Sequence, residues 1–401
     1  MILERFLRYV QIDTMSSEDG TTTPSTAKQF DLANLLVEEL KALGLNDATV
    51  NEHAIVTATL PTNSDKNDDV IGFIAHMDTI PGFSGTNVKP QIINNYDGKP
   101  IYLKNDVTLD PKQFSFMNDL VGKTLITTDG TTVLGADDKA GIANIMGMLE
   151  FFQANPEVLH TTIKIAFTPD EEIGGGIDSF DVKAFGADYA YTCDGGDYRE
   201  INYENFNAAS ANVHITGLDI HPGSAKDQMI NAAVIATEFE NLLPAMKKPM
   251  YTDGYEGFNH LCYMNGCVGY ADMEYIIRNH DKKELEKQKQ EFLNAEKVLN
   301  QKYGDGVVKV TIKDSYSNMA EYIKKDPRSV IRAQKAMETL GIAMQTSPIR
   351  GGTDGAKLTL MGLNTPNLGT GGYNCHGPYE FACLEEMEKV KEILIEIAKV
   401  Q

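Results

Sequence analysis

A chain of 401 residues has room for about two domains, and 42% hydrophobic with 23% charged residues is the composition of a soluble globular protein. A formal net charge of -21 argues against nucleic acid or an anionic membrane as partner, and no apolar run approaches the ~20 residues of a membrane span. Five cysteines with no Cys-x-x-Cys pair point to a reducing, cytoplasmic setting without a disulfide framework.

Residues 1–8 read as an amphipathic helix broken by charges, not as a signal peptide. A second helix is expected over 27–43, ending at Gly44. Residues 49–60 alternate as a strand does. The continuous apolar run 70–75 has the length and character of a central strand covered on both faces. It ends in His76-Met77-Asp78-Thr79. Residues two apart in a strand face the same way, so His76 and Asp78 share a side at the strand's C-terminal end, where open α/β sheets place ligands. A metal-bound imidazole commonly has its second nitrogen held by a carboxylate, and Asp78 suits that task. Residues 81–125 are rich in Gly, Asn and Asp. They read as an excursion with a few short strands and no evident chemistry.

The densest signal is Gly135-Ala136-Asp137-Asp138-Lys139-Ala140-Gly141. Two acids sit between glycines, after the β-prone run 131–134 and before a helix expected over about 138–154. Packing needs no carboxylates there, and a metal ion is the strongest compensation for buried ones. Asp137 is therefore read as bridging two metal ions. The strand expected over 162–167 also runs into acids, Thr168-Pro169-Asp170-Glu171-Glu172, followed by three glycines. Adjacent side chains diverge in an extended segment, so one of Glu171 and Glu172 is read as a metal ligand and the other as a free base. The run Tyr189-Ala190-Tyr191-Thr192-Cys193-Asp194-Gly195-Gly196 repeats the pattern, with Asp194 at its end. Acids recurring at one topological position form a constellation, where a single one would carry little weight.

From 205 to 314 the order strand, helix, strand, strand, helix, strand predicts a ferredoxin-like α+β domain inserted into the first. Its helices are expected over 227–243 and 281–303, and one of its strands over 255–263. His221 lies in it beside a Pro-Gly turn. Helices are expected over 329–340 and 384–400. Between them, Pro348-Ile349-Arg350-Gly351-Gly352-Thr353-Asp354-Gly355 opens a further helix but lacks the lysine of a phosphate loop, so nucleotide binding is rejected. His376 stands among glycines, where a backbone can approach a metal. Arg350, and Arg278 at a strand end, are candidates to bind a substrate carboxylate through a guanidinium fork.

These motifs, in order and nearly end to end, resemble the M20 family of co-catalytic zinc peptidases, and among its members the tripeptide aminopeptidases. The resemblance implies an α/β catalytic domain, residues 1–204 and 315–401, with a mixed, mostly parallel sheet between helices. Residues 205–314 would form the lid or dimerisation domain. It implies that His76 and Asp194 each ligate one zinc, Glu172 and His376 the other, and that Asp137 bridges both across a cis Asp137–Asp138 peptide. Asp78 would orient His76, Glu171 would be the general base for a zinc-activated water, and His221 would donate to the oxyanion. The implied cofactor is Zn²⁺, two per subunit, with Mn²⁺ or Co²⁺ as substitutes. The implied partners are short peptides, with a homodimer through the inserted domain. The alternative is an amidohydrolase or carboxypeptidase of the same family acting on N-acylated amino acids or dipeptides.

Overall fold

A computed structural model describes residues 1–66 and 68–400. The chain forms two units. One comprises Met1–Tyr203, Met319–Ser347 and Thr353–Gln401, the other Glu204–Asn318 and Pro348–Gly352. Among the described residues no helix is long and apolar enough to cross a membrane.

The first unit is built on a seven-stranded sheet in the order Thr49–Val50, Val56–Leu60, Ile163–Thr168, Ile71–His76, Tyr189–Gly195, Asn367–Gly369, Ile201–Asn202. Its central strands run parallel and its edges antiparallel. Every residue of Ile71–His76 is buried. The reason is visible in the two cores. Phe73, Ile165, Phe167 and Tyr191 pack with the helices Ile2–Val10, Ala136–Ala154 and Leu384–Ala398 on one face. Ile74, Ala166 and Ala190 pack with Phe180, Phe185 and Leu358 on the other. A strand covered twice has no polar side to alternate with. The parallel strands therefore end together at one rim, which carries His76, Thr168 and Asp194.

Two local expectations change in this unit, and a third, the excursion with its short strands, gains a role. Residues 49–60 form a hairpin and not one strand, because Asn51 turns the chain: its side-chain oxygen accepts the N–H groups of His53 and Ile55, and Ala54 takes φ 60°. Residues 131–134 form no strand. Asp129 accepts the Thr131 N–H and hydroxyl and closes a turn there. The excursion has structural work that its composition hid. Gln91–Ile93 pairs with Leu125–Thr127, which pairs with Phe381–Cys383 and through it with Gly372–Tyr373, so the excursion builds the sheet whose hairpin carries His376.

The second unit is an antiparallel sheet in the order Phe258–Gly266, Tyr270–Asn279, Asn207–Thr216, Val308–Tyr316. The helices Ala232–Leu242 and Lys282–Tyr303 cover one face around Phe239, Tyr275 and Phe292. The first helix begins five residues later than expected. Leu218 and Ile230 still pair as a bridge, and Asn231 supplies the N-cap, accepting the Val234 N–H at 3.2 Å. The strand expected over 255–263 lies at Phe258–Gly266. The turn Pro348–Gly352 groups with this unit: the Ile349 N–H donates to the Glu204 carbonyl at 2.8 Å.

Candidate metal centre

His76 is the last residue of its strand and is 2% exposed. Its Nδ1 faces the Asp78 carbonyl at 3.1 Å and Asp78 Oδ1 at 3.3 Å. That leaves Nε2 to face Asp137 Oδ1 at 2.8 Å and Asp194 Oδ1 at 3.6 Å. On the other side, His376 Nε2 lies 3.2 Å from Asp137 Oδ2 and 3.0 Å from a Glu172 oxygen. Asp137 thus offers one oxygen to each imidazole. The side chains fall into two groups, His76, Asp137 and Asp194, and Asp137, Glu172 and His376, which share Asp137; within each, the possible ligand atoms lie within 4.8 Å of one another.

The backbone is irregular where it carries Asp137. Asp137 and Asp138 have non-helical torsions at the start of Ala136–Ala154, and the peptide between them is cis. The two carboxylates take different partners. Asp137 faces the imidazoles, while Asp138 turns inward and accepts the His76 and Gly141 N–H groups, both at 3.2 Å. Gly141 has no room for a side chain, since a Cβ there would meet the Cys193 carbonyl at 2.0 Å.

Asp78 does more than face His76. It is fully buried, and its two oxygens accept the Glu171 and Glu172 N–H groups at 2.9 and 3.2 Å. One carboxylate therefore ties two strand ends together. Glu380 and Asp354 escaped the sequence reading. Glu380 accepts the N–H groups of Leu134, Gly135 and Asp137 at 2.6, 2.8 and 3.0 Å and so holds the loop that carries Asp137. Its only sequence signal is an acid heading the apolar run Phe381-Ala382-Cys383. Asp354 lies at the start of the helix Asp354–Leu360 and accepts the Thr168 hydroxyl at 3.0 Å.

The acids crowd one another. Burial pushes the Asp194 carboxyl up to about 7, with Asp137 and Glu172 adding to the shift against His76. Burial and then the Asp194 charge raise Glu171 well above the ordinary range. Hydrogen bonds to Asp137 and Glu172 push His376 up to about 10. Three carboxylates and two imidazoles, ringed by further buried acids, are a donor set short of positive charge. Two divalent cations sharing Asp137 fit it in charge and in donor type.

The remaining expected residues lie in the second unit. His221 is exposed, and its Nδ1 accepts the Gly223 N–H at 3.2 Å. Arg278 donates through Nη1 to the Ala209 and Ile277 carbonyls at 3.1 Å and lies over the Tyr316 ring. Arg350 turns its fork onto its own unit. Nη1 donates to Gly254 and Glu256, and Nη2 to the Thr252 carbonyl and hydroxyl.

Comparison with known proteins relates the chain to peptidases. The sequence model of Peptidase family M20/M25/M40 matches residues 134–400. The chain is 52% identical to Peptidase T of Alkaliphilus oremlandii (strain OhILAs), over 100% of this chain and 98% of the relative. It is 53% identical to Peptidase T of Desulfitobacterium hafniense (strain Y51), with the same coverage. The crystal structure of aminopeptidase PepT from Bacillus cereus ATCC 10987 superposes with a TM-score of 0.79 at 22% identity, covering 99% of this chain and 97% of that one.

Proposed function

The chain belongs to peptidase family M20/M25/M40, and on that premise we propose that it is a metallo-aminopeptidase that releases the N-terminal residue of tripeptides. The observation that carries this reading is Asp137, one carboxylate facing His76 and His376 on opposite sides. Full-length relatives called Peptidase T, about half identical in sequence, support the substrate class.

His76 and Asp194 would hold one cation, Glu172 and His376 the other, and Asp137 both. Zn²⁺ suits these nitrogen and carboxylate donors, and Mn²⁺ or Co²⁺ can replace it. When bound, such a pair supplies Lewis-acid polarisation and lowers the pKa of an attacking water. The chain's own residues do the rest. Glu171 belongs to neither ligand group, and its N–H is anchored by Asp78. Its carboxylate takes the proton of the attacking water and passes it to the amine that leaves. Asp78 keeps the His76 ring turned and the Glu171 segment in place at once. We assign His221 to the oxyanion and Arg278 to the substrate carboxylate, ahead of Arg350, whose four terminal N–H directions already meet acceptors. The second unit is assigned the lid and dimer contact, which its edge strand Phe258–Gly266 supports by exposing Tyr263 and Met264. The five free cysteines fit a reducing cytoplasm.

The test is hydrolysis of a free tripeptide beside its N-acetylated form, with zinc supplied and products identified. Release of the first residue from the free peptide alone is expected. Cleavage of the acetylated peptide, or release from the C-terminus, moves the function to an amidohydrolase or carboxypeptidase.

A further inference from the structure

The segment carrying Glu171 is gripped a second time, at the residue that precedes it. Asp170 is 1% exposed, and its carboxylate accepts hydrogen bonds from residues 141 and 145 positions earlier. The Ser25 N–H donates to Oδ2 at 2.6 Å, while the Ser25 hydroxyl and Gln29 Nε2 donate to Oδ1, also at 2.6 Å. Gln29 is fully buried and uses the other end of its amide as well: its Oε1 accepts the Asp170 N–H at 3.2 Å. The pair is therefore reciprocal, side chain to side chain and side chain to backbone.

Asp170 sits in the left-handed region, at φ 51° and ψ 25°. Its carbonyl accepts the Gly175 and Gly176 N–H groups at 3.0 and 3.2 Å and closes the loop after Glu172. Gly176 is obligatory in that closure, because a Cβ there would lie 1.6 Å from the Pro169 carbonyl. Glu171 and Glu172 thus stand between two anchors, Asp78 on their own N–H groups and Asp170 immediately before them. Apolar packing would bury this place without a carboxylate's desolvation cost. What directional bonds add is a fixed orientation of the peptide that precedes Glu171.

We propose that Asp170, paired with Gln29 and Ser25, is a positioning residue that sets the backbone from which Glu171 acts. It touches no substrate and works through its neighbour. The inference rests on the reading of Glu171 as general base.

The test exchanges the partners. In Asp170→Asn the new amide NH₂ must face either the Ser25 N–H or the Gln29 NH₂, and in Gln29→Glu two carboxylates face each other. In the double variant the new amide donates to the new carboxylate while its oxygen accepts the Ser25 N–H, and the total charge is kept. The full chain is assayed with a free tripeptide, with metal content and melting temperature measured for each variant and Glu171→Gln run alongside. Each single variant is expected to lose about 100-fold in kcat with KM within about 3-fold and wild-type metal content, since small misplacements of a catalytic group act on kcat. The double variant is expected within about 5-fold of wild type. Ser25→Ala, which deletes one donor and no charge, stands in for a single variant that does not fold. Single variants at wild-type kcat beside an inactive Glu171→Gln overturn the inference and leave the base reading intact. A double variant as slow as the singles, or kcat lost in step with metal, also overturns it. An active Glu171→Gln overturns the base reading and the inference with it.

Discussion

The parallel sheet of the first unit and the antiparallel sheet of the second treat charge in opposite ways. The parallel strands of the first unit are mostly apolar and buried, Lys164 apart, then deliver His76, the acids after Thr168 and Asp194 to one rim, where those side chains are buried or nearly so. The antiparallel sheet of the second unit alternates, with Val213 and Ile215 buried and His214 and Thr216 exposed. There a pair such as His214 with Asp272, at 2.6 Å, stays in water. A sheet covered on both faces has nowhere to put polar groups except its ends, and a sheet covered once has a whole face. Buried acids at the ends need an external partner, which is why the first unit reads as the chemical one.

The sharpest way to break that contrast is Glu171→Gln. It removes the proton acceptor and none of the proposed ligands, so kcat for a tripeptide is expected to fall about 10³-fold with metal content unchanged. Metal analysis and steady-state kinetics together check it. Next comes the second unit, where stability and not chemistry is at stake. Phe292 is fully buried against Phe239 and Tyr275, and Phe292→Ala is expected to destabilise by about 3 to 5 kcal/mol, read from denaturant unfolding.

Asp129 sharpens the contrast from inside the first unit, since it is a buried acid compensated by the protein itself. Burial pushes its carboxyl upward, but the Thr131 hydroxyl, Lys104 at 2.9 Å and the Thr131 N–H bring it down to about 2. The folded value lies below the unfolded value of about 3.9, so the stabilisation is complete above about pH 4 and is lost as pH falls through about 2. Asp129→Asn is expected to cost about 2 kcal/mol at pH 7, with the gap to wild type closing as urea midpoints are taken from pH 5 toward pH 2. The smallest expected effect concerns Arg278 on the polar face. Arg278→Ala is expected to raise KM for a tripeptide about 10-fold and for the tripeptide amide much less, the size of one lost charge-assisted hydrogen bond. Equal changes on both substrates would remove Arg278 from substrate binding.

Much of this was legible in the residues. Apolar runs that end in His or acid marked the rim, and the strand and helix order of 205–314 marked the second sheet with its two helices. The elements that moved did so for local reasons that patterning does not register. Asn51 and Asp129 bend the backbone through side-chain hydrogen bonds where β-prone neighbours predict extension. Glu380 was invisible for a different reason: its partners, the N–H groups of residues 134, 135 and 137, lie more than 240 positions away in the chain.

Sequence alone nominated the side chains that the fold gathers into the two candidate ligand groups, because buried-strand composition and the acids at strand ends are properties of short stretches. Only tertiary structure decided how they are held. It turned Asp138 away from Asp137, gave Asp78 the Glu171 and Glu172 N–H groups, brought Gln29 to Asp170, and built the support of the His376 hairpin from an excursion that looked empty. Each of these is a hydrogen bond or strand pairing between segments remote in sequence. Such partners are chosen when the sheet order brings backbones together, and no local pattern encodes that meeting.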